Sequence, residues 1–179
     1  MSSCSSYALN GLAKSCDPSK GGITDIYIAN FDTVSAVTAN SGEVITAITM
    51  SGSTKFYHYH IRKGSCTLTE TLNVDSANGT NYVSSELSLQ FTRMEAEKRL
   101  EMKALALNEL AILVKDANGK IWFLGEENPV MANGGASQTG QAVGDGNFYQ
   151  ITFTDESSTY PREVDADALT SIVAEANAS

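Results

Sequence analysis

Apolar and polar residues alternate with a period of two through the first half of this chain. Residues spaced in that way line one face of a strand, and a helix would scatter them around its circumference. In "ITDIYIAN" (23–30), Ile26 and Ile28 fall on one face and Tyr27 and Ala29 on the other. "GEVITAITM" (42–50) places Val44, Thr46, Ile48 and Met50 together. "CTLTETLNVD" (66–75) sets Leu68, Glu70, Leu72 and Val74 against a threonine face, and "YVSSELSLQF" (82–91) carries Leu87, Leu89 and Phe91 on one side. Turn signals separate these runs: "SGST", and "SANGTN" with its Asn-Gly pair. A surplus of Thr, Ser, Asn and Gly over charged residues, which are 18% of the chain, suits strands and turns.

The period changes once. "TRMEAEKRLEMKALALNEL" has no Gly or Pro and is rich in strong helix formers, so a helix is expected over about 92–108. Thr92 and Glu95 have the spacing of a capping box, and Arg93–Glu97 and Glu95–Arg99 stand at i, i+4. Ala96, Leu100, Ala104 and Leu107 form an apolar stripe expected to pack on the sheet, with Met94, Met102 and Leu105 off it. On that reading Leu100→Asp unfolds the protein.

"LAILVKD" (110–116) then reads as a buried strand, "DANGK" as a tight hairpin and "IWFLG" (121–125) as its partner. Residues 126–147 have no period and are rich in Gly, Asn and Ala, so they read as a long loop, ordered on assembly. "FYQITF" (148–153) is the last clear strand, and "ADALTSIVAEANAS" suits a short acidic helix. The chain therefore divides into an N-terminal arm (1–22), one domain (23–164) and a C-terminal acidic segment (165–179). The expected fold is mainly β, a β-sandwich or barrel of about seven or eight strands with one packed helix. At 179 residues the chain is long enough to bury a core of its own.

Charge and thiols narrow the function. The net charge of −9 and the lack of a Lys/Arg run argue against holding phosphates by counterion release, or docking on an anionic membrane. The same sign suits a surface past which DNA slides without sticking. No apolar run approaches ~18 residues, so no membrane span is expected. The N-terminus has no basic segment followed by an apolar core, so no secretory signal is expected, and Cys4, Cys16 and Cys66 read as reduced thiols.

Both histidines lie in "KFYHYHIRKG" (55–64). On a strand over 55–62, His58 and His60 share a face with Phe56 and Arg62, and Tyr57, Tyr59 and Ile61 take the other. Two such histidines can chelate a metal, but a catalytic zinc needs a third protein ligand, and Arg62 opposes a cation. The alternative is an ordinary strand with polar residues on one face. "GASQTG" (135–140) has the outline of a phosphate loop without the following Lys-Ser/Thr. No catalytic residue, cofactor or metal is assigned, and the chain is read as a non-enzyme.

From the helix to the last strand, the chain runs "LSLQFTRMEAEKRLEMKALALNELAILVKDANGKIWFLG", then "GGASQTGQAVGDGNFYQITFTDESSTYPREV". This order of helix, buried strand, "D-x-N-G-K" hairpin, "W-x-L-G" return, Gly-rich turn and final "ItF" strand resembles bacteriophage virion proteins of the tail tube type. The opening "YALNGLAKSCDPSKGGITDIYIAN" is similar to openings of phage structural proteins from gut bacteria. The resemblance implies a small sandwich or barrel with a flanking helix. It implies subunits joined into rings, hexameric in tail tubes, that stack with inter-subunit sheets around a lumen for the genome. The partners are then other copies of the chain, other virion proteins and DNA in passage without specific binding. The location is the virion tail, after assembly in the host bacterial cytoplasm. The resemblance carries over no catalytic residue. Other readings are a different phage ring, connector or capsid decoration protein; a carbohydrate-binding sandwich using Tyr57, Tyr59 and Trp122; and a two-histidine metal hydrolase.

Overall fold

The computed structural model describes residues 11–174. Cys4 and the last part of the acidic segment, 175–179, lie outside the described residues. The strands are β1 (Ile23–Asn30), β2 (Val34–Ala39), β3 (Ile45–Met50), β4 (Phe56–Tyr59), β5 (Thr67–Asp75) and β6 (Thr80–Thr92). Helix α1 (Ala96–Leu107) follows, then β7 (Leu110–Asp116), β8 (Ile121–Leu124), β9 (Met131–Gln138) and β10 (Phe148–Ser157). The chain ends with β11 (Arg162–Val164), the four-residue helix α2 (Ala166–Leu169) and β12 (Val173–Ala174). The expected mainly-β fold with one main helix is present, as two sheets. Sheet A has the order β12-β4-β1-β7-β8-β11-β3-β2 and sheet B the order β5-β6-β10-β9.

Two apolar clusters hold the sheets. Ile26 and Ile28 of β1, Ile112 and Val114 of β7, and Leu124 of β8 meet Leu87, Leu89, Ile151 and Phe153 of sheet B between the layers. On the other face of sheet A, Ala111, Leu113, Phe123, Ile45, Ile48, Phe56 and Ile172 form a second cluster. That cluster exists because sheet A curls. β3 and β4 are five places apart in the sheet, about 24 Å if flat. The chain from Met50 to Phe56 reaches only about 20 Å even when extended, and it contains a turn, with Gly52 at φ +63°. The sheet bends until the connection closes. The gap is covered by α2 and the residues on either side of it: Asp165 N–H, before the helix, donates to Ile45 O (2.8 Å), and Phe56 N–H donates to Ile172 O (2.8 Å), after it. No hydrogen-bonded ladder joins β2 to β12 among the described residues, so the sheet is not a closed barrel.

The alternation read from the sequence places most inward residues correctly, and β3 shows where it slips. Ile45 and Ile48 are the buried residues of β3, while Thr46 is exposed. Thr38 pairs Ala47 and Ala39 pairs Ile45, so Thr46 is the extra residue of a bulge that shifts the pleat by one.

The helix differs more. Strand β6 runs on to Thr92, which pairs Phe148, and Arg93 turns the corner with φ +67°. Asn147 holds that corner, accepting from Arg93 N–H through its carbonyl (2.8 Å) and from Met94 N–H through Oδ1 (2.9 Å). No capping box forms. Glu95 is the residue before the helix and its carboxylate pairs Lys98 and Arg93 instead. The expected stripe faces outward: Leu100 and Leu107 are 71% and 74% exposed, whereas Leu105 is buried and Met102 packs on the inter-sheet core.

The expected loop 126–147 contains core and strand. Val130 is fully buried and exchanges two backbone hydrogen bonds with Leu110 (3.0 and 2.8 Å). Residues 131–138 form the edge strand β9 on β10. The strand shows no alternation because its small residues are held by the ladder rather than by burial. Gly135 serves close approach, since a Cβ there would stand 2.8 Å from Gln150 O. The N-terminal arm is exposed over 11–22, and its end is tied to the β7–β8 turn by paired bonds between Lys20 and Asn118 (2.8 and 2.9 Å).

These positions reverse the expectation for Leu100. Leu100→Asp is expected to leave stability within about 0.5 kcal/mol of wild type. Leu105→Ala is expected to cost about 2–5 kcal/mol. Urea unfolding followed by circular dichroism checks both, and a Leu100→Asp protein that unfolds would show that the helix packs by the other face.

Candidate functional site

His58 is largely covered, whereas His60, just past the strand, is exposed. Strand β4 ends at Tyr59, and its alternation buries Phe56 in the second cluster while Tyr59 and Ile61 pack on the inter-sheet core. His58 is opposite Tyr27 of β1 and stacks on it, with centroids 4.7 Å apart. Its Nε2 lies 2.9 Å from Asp25 Oδ1, and the His60 ring packs 4.1 Å from it. Among the described residues, no group of three or more His, Cys, Asp or Glu is placed to hold a metal ion. The geometry orients and packs the His58 imidazole among Asp25, Tyr27 and His60.

The other sequence candidates disperse. Gly135 belongs to β9, and the N–H groups of Gln141 and Ala142 that follow "GASQTG" donate to the Asp145 carboxylate (2.8 and 2.7 Å), which occupies the place an anion would take. Tyr57 and Tyr59 are separated from Trp122 by β1 and β7, so they build no common platform. Tyr59 is tilted against Phe91 at 6.1 Å and donates its hydroxyl to Glu101. Burial, and then that carboxylate, hold its phenol well above the usual tyrosine range. Cys16 is exposed and Cys66 buried, and neither is in a disulfide.

The outer face of sheet B is a continuous polar surface. Thr67, Thr69 and Thr71 of β5 share this face with Ser84, Glu86 and Ser88 of β6, as the register pairs them. β10 adds Gln150, Thr152 and Glu156. The charged residues at outward positions of the four strands are Asp75, Glu86 and Glu156, and none is Lys or Arg. Both edges of this sheet, β5 and β9, lack a neighbour among the described residues. Apolar side chains cluster near those edges. Leu72 and Val74, on the β5–β6 hairpin where it outruns β10, are 48% and 65% exposed, and Met131 at the start of β9 is 55% exposed. The sequence signal for the polar face was available in the positions alternating with the leucines. The identity of the edges was not.

A second site is a pocket of about 380 Å³ lined by Glu43, Glu127, Asp155, Tyr160 and Arg162 among others. Arg162 is bound by Glu126, and Glu127 accepts from Ser158 N–H (2.6 Å) and Oγ (3.0 Å). Asp155 is 3% exposed on the inner face of β10. Its Oδ2 accepts from Gly125 N–H (3.3 Å), while its Oδ1 and the Oγ of Ser85 opposite have no partner among the described residues. Burial pushes the Asp155 carboxyl above its ordinary range, against the Gly125 N–H that favours the charged form.

That shift gives a signed pH dependence. The folded state holds the Asp155 proton more tightly than the unfolded chain. Its stabilisation is complete below about pH 4, the unfolded value, and is lost as pH rises through the folded value. Asp155→Asn is therefore expected to be more stable than wild type at pH 7, with the difference shrinking as pH falls toward 4. Urea melts across pH 4–8 measure this, and an Asn variant less stable at pH 7 would contradict it.

Compared with known proteins, the chain matches no family model, no curated protein and no solved structure.

Proposed function

We propose that the protein is a virion structural subunit of the tail tube kind, which joins copies of itself into stacked rings around a channel for DNA. The observation that carries this reading is the outer face of sheet B: polar, without a cation, and bounded by two open edges. A wall facing DNA must not bind it. Duplex DNA carries one charge per about 1.7 Å of axis, so lysines on such a wall would hold the genome by counterion release. Thr, Ser and Gln with isolated carboxylates give a wetted wall that repels weakly. The net charge of −9 has the same sense.

Sheet size agrees with the ring number the resemblance implies. Six copies joined edge to edge would bring about 24 strands together, a ring of backbone roughly 37 Å across at ~4.8 Å per strand. After side chains are allowed for, that leaves room for a double helix. The strands of sheet B alternate in direction. A β5 edge meeting the β9 edge of the next copy is then antiparallel, and the joint repeats without limit until it closes.

Negative-stain microscopy of the purified protein over a range of concentrations tests the reading. Rings or tubes with a central channel are expected. A protein that stays monomeric at high concentration contradicts it. The channel wall has its own test. Ser88→Lys with Thr152→Lys is expected to make assembled protein retain duplex DNA at moderate salt, where wild type does not. Equal retention by the two proteins would mean that this face does not line the channel.

A further inference from the structure

Two exposed apolar regions stand at opposite ends of sheet B and differ in charge. At one end the β5–β6 hairpin carries Leu72 and Val74, half to two-thirds exposed, on the face that packs Leu68 and buries Leu87 nearer the body. From 64 to 92 the chain has three carboxylates, Glu70, Asp75 and Glu86, and no Lys or Arg, a net −3. At the other end a groove of about 450 Å³ runs between α1 and β9, lined by Met102, Ala106, Ala132, Gly135 and Ala136 with Ile151 beneath. The β9 residues in it are mostly small, and Met102, Tyr149 and Ile151 make its floor largely apolar.

The rim of that groove is basic. At about 3.6 residues per turn, Arg99 and Lys103 follow Ala106 around α1, and the exposed Leu107 and Leu100 come next. Residues 93–103 hold four cations and three carboxylates, a net +1 in a chain of net −9. Arg93 and Lys98 are engaged by Glu95, and Arg99 donates through Nε to Tyr149 Oη (3.0 Å). Lys103 and Glu70 make no ion pair or side-chain hydrogen bond among the described residues. Glu70, on the same face of β5 as Leu72, has its carboxyl pushed up by burial, as expected of an acid without a cation.

We propose that the hairpin of one copy docks in the α1–β9 groove of the next, Leu72 and Val74 entering the groove and Glu70 meeting Lys103 and Arg99 on its rim. This rests on the ring-forming reading above and names the contact that forms the ring. The partner is a second copy of this chain, chosen by charge complementarity: the acidic apolar hairpin and the basic-rimmed apolar groove are found on one molecule. They lie beside the two open edges of one sheet, and Leu72 is level with Ser157 while the groove begins level with Phe153, so pairing β5 with the next β9 at a stagger of about four residues brings the hairpin's apolar face against the neighbouring α1. The contact is heterologous, each copy giving a hairpin and receiving one, which builds rings or filaments rather than two-fold dimers.

Two variants each spoil one half. Leu72→Lys disables the hairpin and leaves the groove; Ala106→Glu fills the groove at an exposed helix position and leaves the hairpin. Val74→Lys replaces Leu72→Lys if circular dichroism shows that the latter is unfolded. Sedimentation velocity is run on each alone and on an equimolar mixture. Each alone is expected to self-associate at least about tenfold more weakly than wild type, as loss of a central apolar anchor does. The mixture is expected to form a one-to-one dimer and nothing larger, because a single intact hairpin–groove pair remains between the two proteins. Glu70→Lys and Lys103→Glu are each expected to weaken assembly, and the double exchange to restore it. Wild-type assembly by either apolar variant, a dimer of one variant alone, or a double exchange no better than the singles would overturn the proposal while leaving ring formation standing. A wild-type protein that never assembles would overturn both.

Discussion

Strand β7 is the constraint on which the rest depends. Leu110, Ile112 and Val114 enter the core between the sheets, and Ala111 and Leu113 enter the core inside the curl of sheet A. A strand apolar on both sides must be covered on both sides, since a buried aliphatic side chain contributes about 1.5–3 kcal/mol that exposure would forfeit. One side is covered by sheet B. The other requires sheet A to bend over itself, with Ile45, Phe56 and Ile172 brought in from distant parts of the chain.

That requirement divides the surface unequally. Sheet A spends both faces on packing, and its histidine strand is drawn into the same work, with Phe56 in one core and Tyr59 against the other. Sheet B packs by one face only. Its outer face, its two edges and the outward side of α1 are what the fold leaves open, and each has a distinct character: polar and cation-free, hydrogen-bond competent, and apolar with a basic border. A continuous exposed polar sheet with open edges is a hazard in a monomer. In an assembling subunit the edges are joints.

Much of this is legible in the amino-acid sequence. The alternation of Ile26 and Ile28 with Tyr27 and Ala29 marks the two faces of β1, and the run "LAILV" marks a buried strand, which the structure shows to be covered on both sides. Reading failed where backbone geometry outweighed side-chain pattern. The bulge at Thr46 shifts a period by one with no marker in the residues themselves. Strand β9 has small residues and no period because the β10 ladder, not burial, holds it. For α1, the stripe through Leu100 and Leu107 was apolar enough to suggest a core face, and the fold turned it outward while Leu105 and Met102 packed. An apolar helix face on the surface is itself a clue to assembly, and no periodicity argument distinguishes it from a core face. The surroundings of His58 depend on tertiary placement that the strand pattern does not carry: Asp25 and Tyr27 reach it from the neighbouring strand.

Amide hydrogen exchange on dilute and assembled protein tests the central claim most directly, because it reads the edges themselves. Amides whose only shield is a neighbouring copy exchange freely in the monomer and slowly once joined. The account predicts new protection on assembly in β5 (Thr67–Asp75) and β9 (Met131–Gln138), with the β7 amides slow in both states. Protection appearing instead along β2 (Val34–Ala39), with β5 and β9 unchanged, would mean that the copies join through sheet A and would contradict the account.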